Sequence, residues 1–426
     1  MKRVVILCVW LFSVVAGHAQ LSLDECRRLA QENYPEIRQY DLVHQTEQYN
    51  LSNAARAWIP QLAFSAQATW QTDAPNFPKE LTGMLAQQGL EIPGLRKDQY
   101  KVALELNQTI WDGGKSVADK RIARAEAAEQ KTMTDVDLYE LEGRVDDLYF
   151  GILLLDERIA QTNLTLNLLR SNLEKVRALQ RNGVAMQSDA DVLEAELLSV
   201  GQQLIQFESS CDSYRRMLGI FIGQKVGDRK LQRPSAVQPL SGESARPELA
   251  MFAAKIDRLT AQEKMVKSSS MPRLGFFAQG YYGYPGLDYM QSMMNSDWSW
   301  NAMLGVKLSW NFGAYYTQKN NLNKLRTSRQ QVEVQRDVFL FNMNLQAAQE
   351  NGDIARLRKA IADDDRIVAL RRSVREAAES KLRNGIIDTH DLLSKITDES
   401  TASMARSMRE IELLKAIYEY KHTINR

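Results

Sequence analysis

The first place where this chain could do chemistry is the stretch GGKS at residues 113–116. A glycine turn followed by Lys115 and Ser116 could cradle phosphate groups on backbone N–H donors, with the lysine on the outer oxygens. That loop needs another glycine five residues before Gly114, and the position holds Thr109. The turn also follows an alternating apolar strand, so the phosphate loop is rejected. Beyond the leader, His44, His390 and His422 lie far apart and lack metal-ligand spacing. His390 stands beside Asp391 near the second turn, and a solvent-facing histidine is the simpler reading. Asp363, Asp364 and Asp365 read as a solvated helix face. No nucleophile stands with a base and an orienting group. The expectation is a protein that is not an enzyme, with no cofactor and no metal.

Charge and composition set further bounds. The 426 residues carry 54 basic and 53 acidic side chains, a net charge of +1, which gives no electrostatic case for a nucleic-acid partner. Lys2 and Arg3 precede the apolar run VVILCVWLFSVVAG, and small residues Gly17 and Ala19 follow it. That pattern is a secretory signal peptide over residues 1–19, cleaved after Ala19. Cys8 lies too early for lipidation, so no lipid anchor is expected. No later segment has about 18 consecutive apolar residues, which argues against a transmembrane helix. Cys26 and Cys211 remain, each inside an expected helix; two buried free thiols are the simpler reading, a disulfide in an oxidising compartment the other.

The elements that follow come in the same order twice. Repeat one covers residues 20–220, with Ser22 and Glu25 opening a helix as a capping box and Pro35 interrupting it. Strands follow at about 60–71 and 100–111, joined by a polar loop, 72–98, in which PKELTGMLAQQGL could be helical. A helix from Lys115 to about Gln180 contains no proline, only Gly143 and Gly151 as breaks, and ends in a turn at 181–186. A looser linker, 221–246, precedes repeat two, 247–426, with strands at about 272–283 and 300–312 and a turn at 383–388. WIPQLAFSAQ recurs as SMPRLGFFAQ, and RNGV as RNGI 202 residues later, so tandem duplication is the simplest account. Leu138, Leu141, Val145, Leu148, Ile152, Leu155 and Ile159 are spaced alternately by three and four. The pattern passes Thr162 and continues through Leu166, Leu169, Leu173 and Val176. This is a coiled-coil seam. A helix of such extent, roughly 100 Å at 1.5 Å per residue, must lie beside partners of similar length.

The strands alternate as cleanly. Leu62, Phe64, Ala66, Ala68 and Trp70 oppose Gln61, Ser65, Gln67 and Thr69; Val102, Leu104, Leu106 and Ile110 oppose Lys101, Glu105, Asn107 and Thr109. In the last strand Trp300, Ala302, Leu304, Val306, Leu308, Trp310 and Phe312 oppose Asn301, Lys307, Ser309 and Asn311. Outside the leader every tryptophan, Trp58, Trp70, Trp111, Trp298, Trp300 and Trp310, sits at or beside a strand end. Aromatic girdles at both ends of roughly 10-residue alternating strands mark an outer-membrane β-barrel rather than a soluble sheet. Four strands fall short of the minimum of about eight, so several chains must share one barrel, its polar face lining a pore.

LSLDECRRLAQENYPEI, WIPQL, SMPRLGFFAQ, QTIWDGGK, RNGVAMQSDADVLEAE and RNGIIDTHDLL, in this order and duplicated, resemble the TolC family of outer-membrane efflux proteins over essentially the whole mature length. The resemblance implies a mainly α fold with a membrane β-barrel: a homotrimer with a twelve-stranded barrel in the outer membrane of a Gram-negative bacterium, and antiparallel coiled-coil helices forming an α-barrel across the periplasm. It implies a passive exit duct, supplied by a periplasmic adaptor (a membrane fusion protein) and an inner-membrane pump. It places adaptor contacts at Asn182, Gly183, Val184, Asn384, Gly385 and Ile386, where a plain helix C-cap is the alternative for each glycine. It places a channel constriction at Asp391 and, in the first repeat, at Asp191, where the turn reads about two residues longer. The family's second aspartate falls on Ser394 and its closing arginine on Ile387, which argues against that ion-pair lock. The barrel exit WNFGAYY also departs from IWDGGKS. A structural or adhesive coiled-coil envelope protein is the alternative function; a barrel enzyme would show a clustered Ser/His/acid set on the strands, and none is visible.

Overall fold

A computed structural model of the chain describes residues 20–89, 92–235 and 244–425. The signal-peptide assignment, Cys8 and Trp10 therefore lie outside the described residues. The helices are α1 (Leu23–Asn33), α2 (Gln39–Arg56), α3 (Lys79–Gln87), α4 (Lys115–Arg181), α5 (Gln187–Ile222), α6 (Pro247–Ser268), α7 (Tyr289–Met294), α8 (Ala314–Arg383) and α9 (Thr389–Ile424). The strands are β1 (Gln61–Trp70), β2 (Asp98–Trp111), β3 (Arg273–Tyr284) and β4 (Ser299–Ser309). The helices α5 and α9 are both 36 residues, and α4 and α8 are 67 and 70, so the two halves run in parallel order. Among the described residues, no helix is long and apolar enough to cross a membrane.

The chain forms two compact units, each drawing on both repeats. The first comprises the described parts of Met1–Tyr40, Thr132–Ala250 and Arg336–Arg426. Its core is the expected seam. Leu141, Val145 and Ile152 are fully buried and pack with Leu23, Cys26 and Ala30 of α1, Leu218 and Ile222 of α5, and Ile411 of α9. Further along, Leu166, Leu169, Leu173 and Val176 pack with Leu193 of α5 and with Leu392 and Ile396 of α9. Each such leucine or isoleucine is worth about 1.5–3 kcal/mol relative to exposure. Between the two clusters the seam turns polar at Thr162, where Thr165 meets Ser400 at 2.6 Å and Gln161 donates to Ser407 at 3.2 Å.

Local chemistry starts and stops these helices. Ser22 accepts from Glu25 N at 3.2 Å, half of the expected capping box; the Glu25 carboxylate turns to Arg28 instead. Pro35 opens a 3-10 turn between α1 and α2. The described part of the linker, through residue 235, is less loose than expected. Val226 and Leu231 are buried, Leu231 bridges Leu21 in parallel, and the Tyr149 hydroxyl lies 2.8 and 2.6 Å from the carbonyl oxygens of Leu21 and Gln232.

The second unit comprises Asp41–Lys131 and Met251–Gln335, built around one antiparallel sheet in the order β1-β2-β3-β4. The loop at 72–98 does contain a helix, α3. One difference from expectation concerns the end of a strand, another a short helix in an expected loop. Strand β4 stops at Ser309, because 310–313 form the turn that opens α8, and the Trp310 indole N–H donates to Ser270 O at 3.0 Å. The short α7 forms where the sequence pattern predicts loop; Asp288 caps it by accepting from Gln291 N.

Candidate functional site

The sheet register sorts side chains into two faces as the alternation predicts, except at the end of β2, where Gln108 pairs with Phe276 on the apolar side and the register shifts. Leu62, Leu106, Ala278 and Leu304 form one cross-strand row; Phe64, Leu104, Gly280 and Ala302 form the next; Ala66, Val102, Tyr282 and Trp300 the third. Paired residues share a face, so an apolar surface runs across all four strands. It is bare: Phe64 is 72%, Leu304 74% and Trp300 81% exposed. A continuous apolar face of this kind requires a cover. A register shift between Thr109 and Trp111 brings Trp111 opposite Leu274 on this same side.

The tryptophans divide evenly. Trp58, Trp111 and Trp310 stand at the end where the strands meet α2, α4, α6 and α8; Trp70, Trp298 and Trp300 stand at the other. Tyr100 stacks on Trp298 at 5.7 Å and Tyr282 packs on Trp300 at 5.0 Å, extending the second group. Eight residues of β3 separate Leu274, paired with Trp111, from Tyr282, paired with Trp300; at about 3.3 Å per residue this is roughly 26 Å along the strand, or about 20 Å of height at a tilt of about 40°, comparable to a barrel's apolar band of about 25 Å.

The opposite face is polar. Lys101 donates to Gln279 at 3.0 Å and lies over the Tyr281 ring at 4.6 Å, and Gln279 donates in turn to Glu105. Gly283 permits the pairing beneath, because a Cβ there would meet Tyr100 O at 2.2 Å. Both edges, β1 and β4, lack a partner strand among the described residues.

In the first unit, the two turns expected as tips are closely alike. Gly183 N donates to Gln180 O and Val184 N to Leu179 O, while Gly385 N donates to Leu382 O and Ile386 N to Lys381 O. With φ near +74° and +69° at the glycines, both are Schellman caps. The residue after the glycine in such a cap commonly folds back on its own helix. Val184 and Ile386 do not: they are 67% and 68% exposed. Asn182 and Asn384 cap the two helices, and Asn384 Nδ2 also donates to Ser380 O.

The turn lengths correct one expectation. Each turn has five residues, 182–186 and 384–388, so the position matching Asp391 is Asp189 and not Asp191. Asp189 caps its own helix, accepting from Met186 N at 2.8 Å. In the other turn Asp388 does the capping, accepting from Asp391 N, and the exposed Asp391 carboxylate takes no part. Asp191 accepts from Gln187 at 2.7 Å. Ser394 is exposed and Ile387 packs against the adjacent core.

The remaining titratable groups are structural in their surroundings. Both cysteines are free and buried; burial pushes the Cys26 thiol up to about 12 and raises that of Cys211, whose sulfur meets Asp156 and Arg215. His422 stacks on Tyr139 at 4.2 Å, with the Arg246 guanidinium over that ring at 4.9 Å. His390 and His44 are exposed. Among the described residues no group of His, Cys, Asp and Glu could hold a metal. Sequence reasoning missed the His422 cluster, which joins residues 283 apart. It also missed Tyr100 and Tyr282 in the girdle, whose place shows only in the register.

Residues 27–223 match the family model described as outer membrane efflux protein. No curated protein sequence matches the chain. Among solved structures, the chain is similar to the outer membrane protein VceC from Vibrio cholerae, with TM-score 0.68 and 14% identity over 94% of this chain and 95% of that one. It is similar to the outer-membrane channel OprN, with TM-score 0.69 and 14% identity over 94% and 89%. The open state of the Neisseria gonorrhoeae MtrE outer membrane channel gives TM-score 0.65 and 14% identity over 94% and 88%. At this identity the three structures speak to fold, which extends well past the residues the family model covers.

Proposed function

Through residues 27–223 the chain belongs to the outer membrane efflux protein family, and on that footing we propose that it is the passive exit duct of a tripartite efflux or secretion system. The observation that carries the reading is the sheet: bare and apolar on one face, aromatic at both ends, polar on the other, and open at both edges. Unpaired edges in lipid cost several kcal/mol per group, by order of magnitude. Pairing β4 of one chain with β1 of the next removes them, and three chains close a twelve-stranded ring around a polar lumen. The barrel sits in the outer membrane of a Gram-negative bacterium, and the helical unit extends into the periplasm. The loops carrying α3 and α7, at the Trp70 and Trp300 end, face outward.

In the first unit, Val184 and Ile386 beside their glycines offer a small apolar knob at each turn, suited to the backbone and side chains of a periplasmic adaptor, which couples the duct to an inner-membrane pump. Three copies of Asp391 form an acidic ring that favours cations at the constriction. Asp189 and Asp191, tied to their own helix, contribute less. A purely structural or adhesive role has no feature in its favour.

The test is planar-bilayer conductance of the detergent-extracted protein, wild type beside Asp391→Ala, with oligomeric mass measured on the same sample. Trimers with small, cation-selective currents that grow or lose selectivity in the variant are expected. Trimers whose currents ignore the substitution would retain the duct and discard that constriction. Monomers, or trimers silent at every voltage and salt concentration, would overturn the duct itself.

A further inference from the structure

The polar face of the sheet carries four charged side chains, and they are not equivalent. Lys101 and Glu105, midway along, are both tied to Gln279 and offset one another. Arg273 and Lys307 stand at the end where the strands meet the helices, and among the described residues neither has an ion-pair partner. They are diagonal neighbours: Arg273 pairs with Ser309, and Gly275, two residues on, pairs with Lys307. Both line a recess of about 350 Å³.

The other charges around that recess are already engaged. Asp112 accepts from Gly114 N and Ser116 N, capping α4, and Lys115 is paired with Asp119 at 2.7 Å. Asp112 keeps its negative charge while capping, so the recess carries a net charge of +1, and Arg273 and Lys307 are the two cations in it that no carboxylate pairs. It also presents an aromatic ring. Phe277 lies on the polar face opposite Gly305, and its ring covers that glycine so closely that a Cβ there would approach it to 3.0 Å. Cations beside a half-buried apolar ring match a solute with an anionic head and a flat apolar body.

We propose that Arg273, Lys307 and Phe277 form a selectivity site for aromatic carboxylates at the helix-side mouth of the barrel. This rests on the duct reading given above, because it is trimer closure that turns the polar face inward and makes a ring of six cations. A twelve-stranded barrel with strands 4.8 Å apart and tilted about 40° is roughly 24 Å across. The cations thus act on an axial solute from about one Debye length, and they should raise the anion-to-cation permeability ratio about threefold rather than by orders of magnitude. Asp391 and this ring lie in different units of the chain, so the two can be varied separately.

The experiment uses full-length trimers in planar bilayers, with reversal potentials under gradients of potassium benzoate and of potassium chloride. In Arg273→Gln/Lys307→Gln the benzoate-to-potassium ratio should fall about threefold, and Arg273→Lys/Lys307→Arg should keep it. Phe277→Ala should lower the benzoate ratio and leave the chloride ratio alone. Conducting trimers of the double glutamine variant with an unchanged benzoate ratio would overturn the proposal and leave the duct standing. Equal losses for benzoate and chloride in Phe277→Ala would overturn the ligand class. Should the glutamine pair fail to assemble, Lys307→Glu, at an exposed position, must depress the ratio further than neutralisation would, or the proposal fails. Wild-type trimers that never conduct would overturn the duct reading, and this inference with it.

Discussion

Acid should weaken the first unit through His422. The imidazole is stacked on Tyr139, whose hydroxyl donates to the His422 carbonyl, and Arg246 donates to that same carbonyl at 3.3 Å. Burial, then the Arg246 and Arg27 charges, bring its pKa from the ordinary 6.5 to about 4, against the opposing pull of Glu248 and Asp147. A depressed value means that the fold favours the neutral ring. The stabilisation is complete above pH 6.5 and is lost as pH falls through about 4. A drop of about 2.5 pH units corresponds to about 3.4 kcal/mol at 1.36 per unit. The ring is only partly buried, so screening reduces this to about 2 kcal/mol.

The assay compares thermal melting of wild type and His422→Gln by circular dichroism at pH 7.5 and pH 4.5. Other carboxylates titrate in this range, so the quantity of interest is the gap between the two proteins. An unfolding entropy of about 2.1 cal/mol/K per residue over roughly 400 residues converts 2 kcal/mol into a change of about 2–3 °C in that gap. Glutamine gains no charge in acid, so the wild type should lose ground to it. A gap that stays the same at both pH values would refute the argument that His422 is held neutral.

Two further outcomes follow from steric and polar detail. Gly283→Ala should prevent the proposed trimer from assembling, read as oligomeric mass in detergent, since its Cβ would meet Tyr100 O at 2.2 Å, whereas Gly280→Ala, with nothing within 4 Å, should assemble normally. Thr162 is 1% exposed and its hydroxyl has no partner among the described residues, so Thr162→Val should stabilise the first unit by about 1 kcal/mol; a lower urea midpoint would refute this.

What could be read in advance was whatever the chain encodes by period. A spacing of three and four specifies one helix face locally, so Leu138 through Val176 were legible as a seam, and nearly all are buried. A spacing of two does the same for a strand, so Leu62, Leu104 and Leu304 were placed on one face before any register was known. Punctuation was harder. Trp310 and Phe312 continue the alternation of β4, but the backbone has already turned at Ser309 to start α8, and side-chain pattern does not report that. Tertiary pairings left no trace: Arg27 with Asp146 and His422 with Tyr139 join segments 119 and 283 residues apart.

The aspartates at the turns show why position matters more than residue type. Matching aspartate to aspartate pairs Asp391 with Asp191, whereas counting from the glycines pairs it with Asp189. At that third helical position a carboxylate has a local use, since it can accept from the N-cap backbone. Asp189 does so because Met186, at the cap, has no oxygen in its side chain to offer. Asp388 already caps the other helix, so the local need is met without the Asp391 carboxylate. Asp189→Ala should therefore cost about 1 kcal/mol in stability with little change in channel selectivity. Asp391→Ala should do the reverse, leaving the melting temperature in place while shifting the reversal potential. Equal destabilisation by the two substitutions would show that Asp391 too is only a helix-start residue, and the acidic constriction would lose its physical basis.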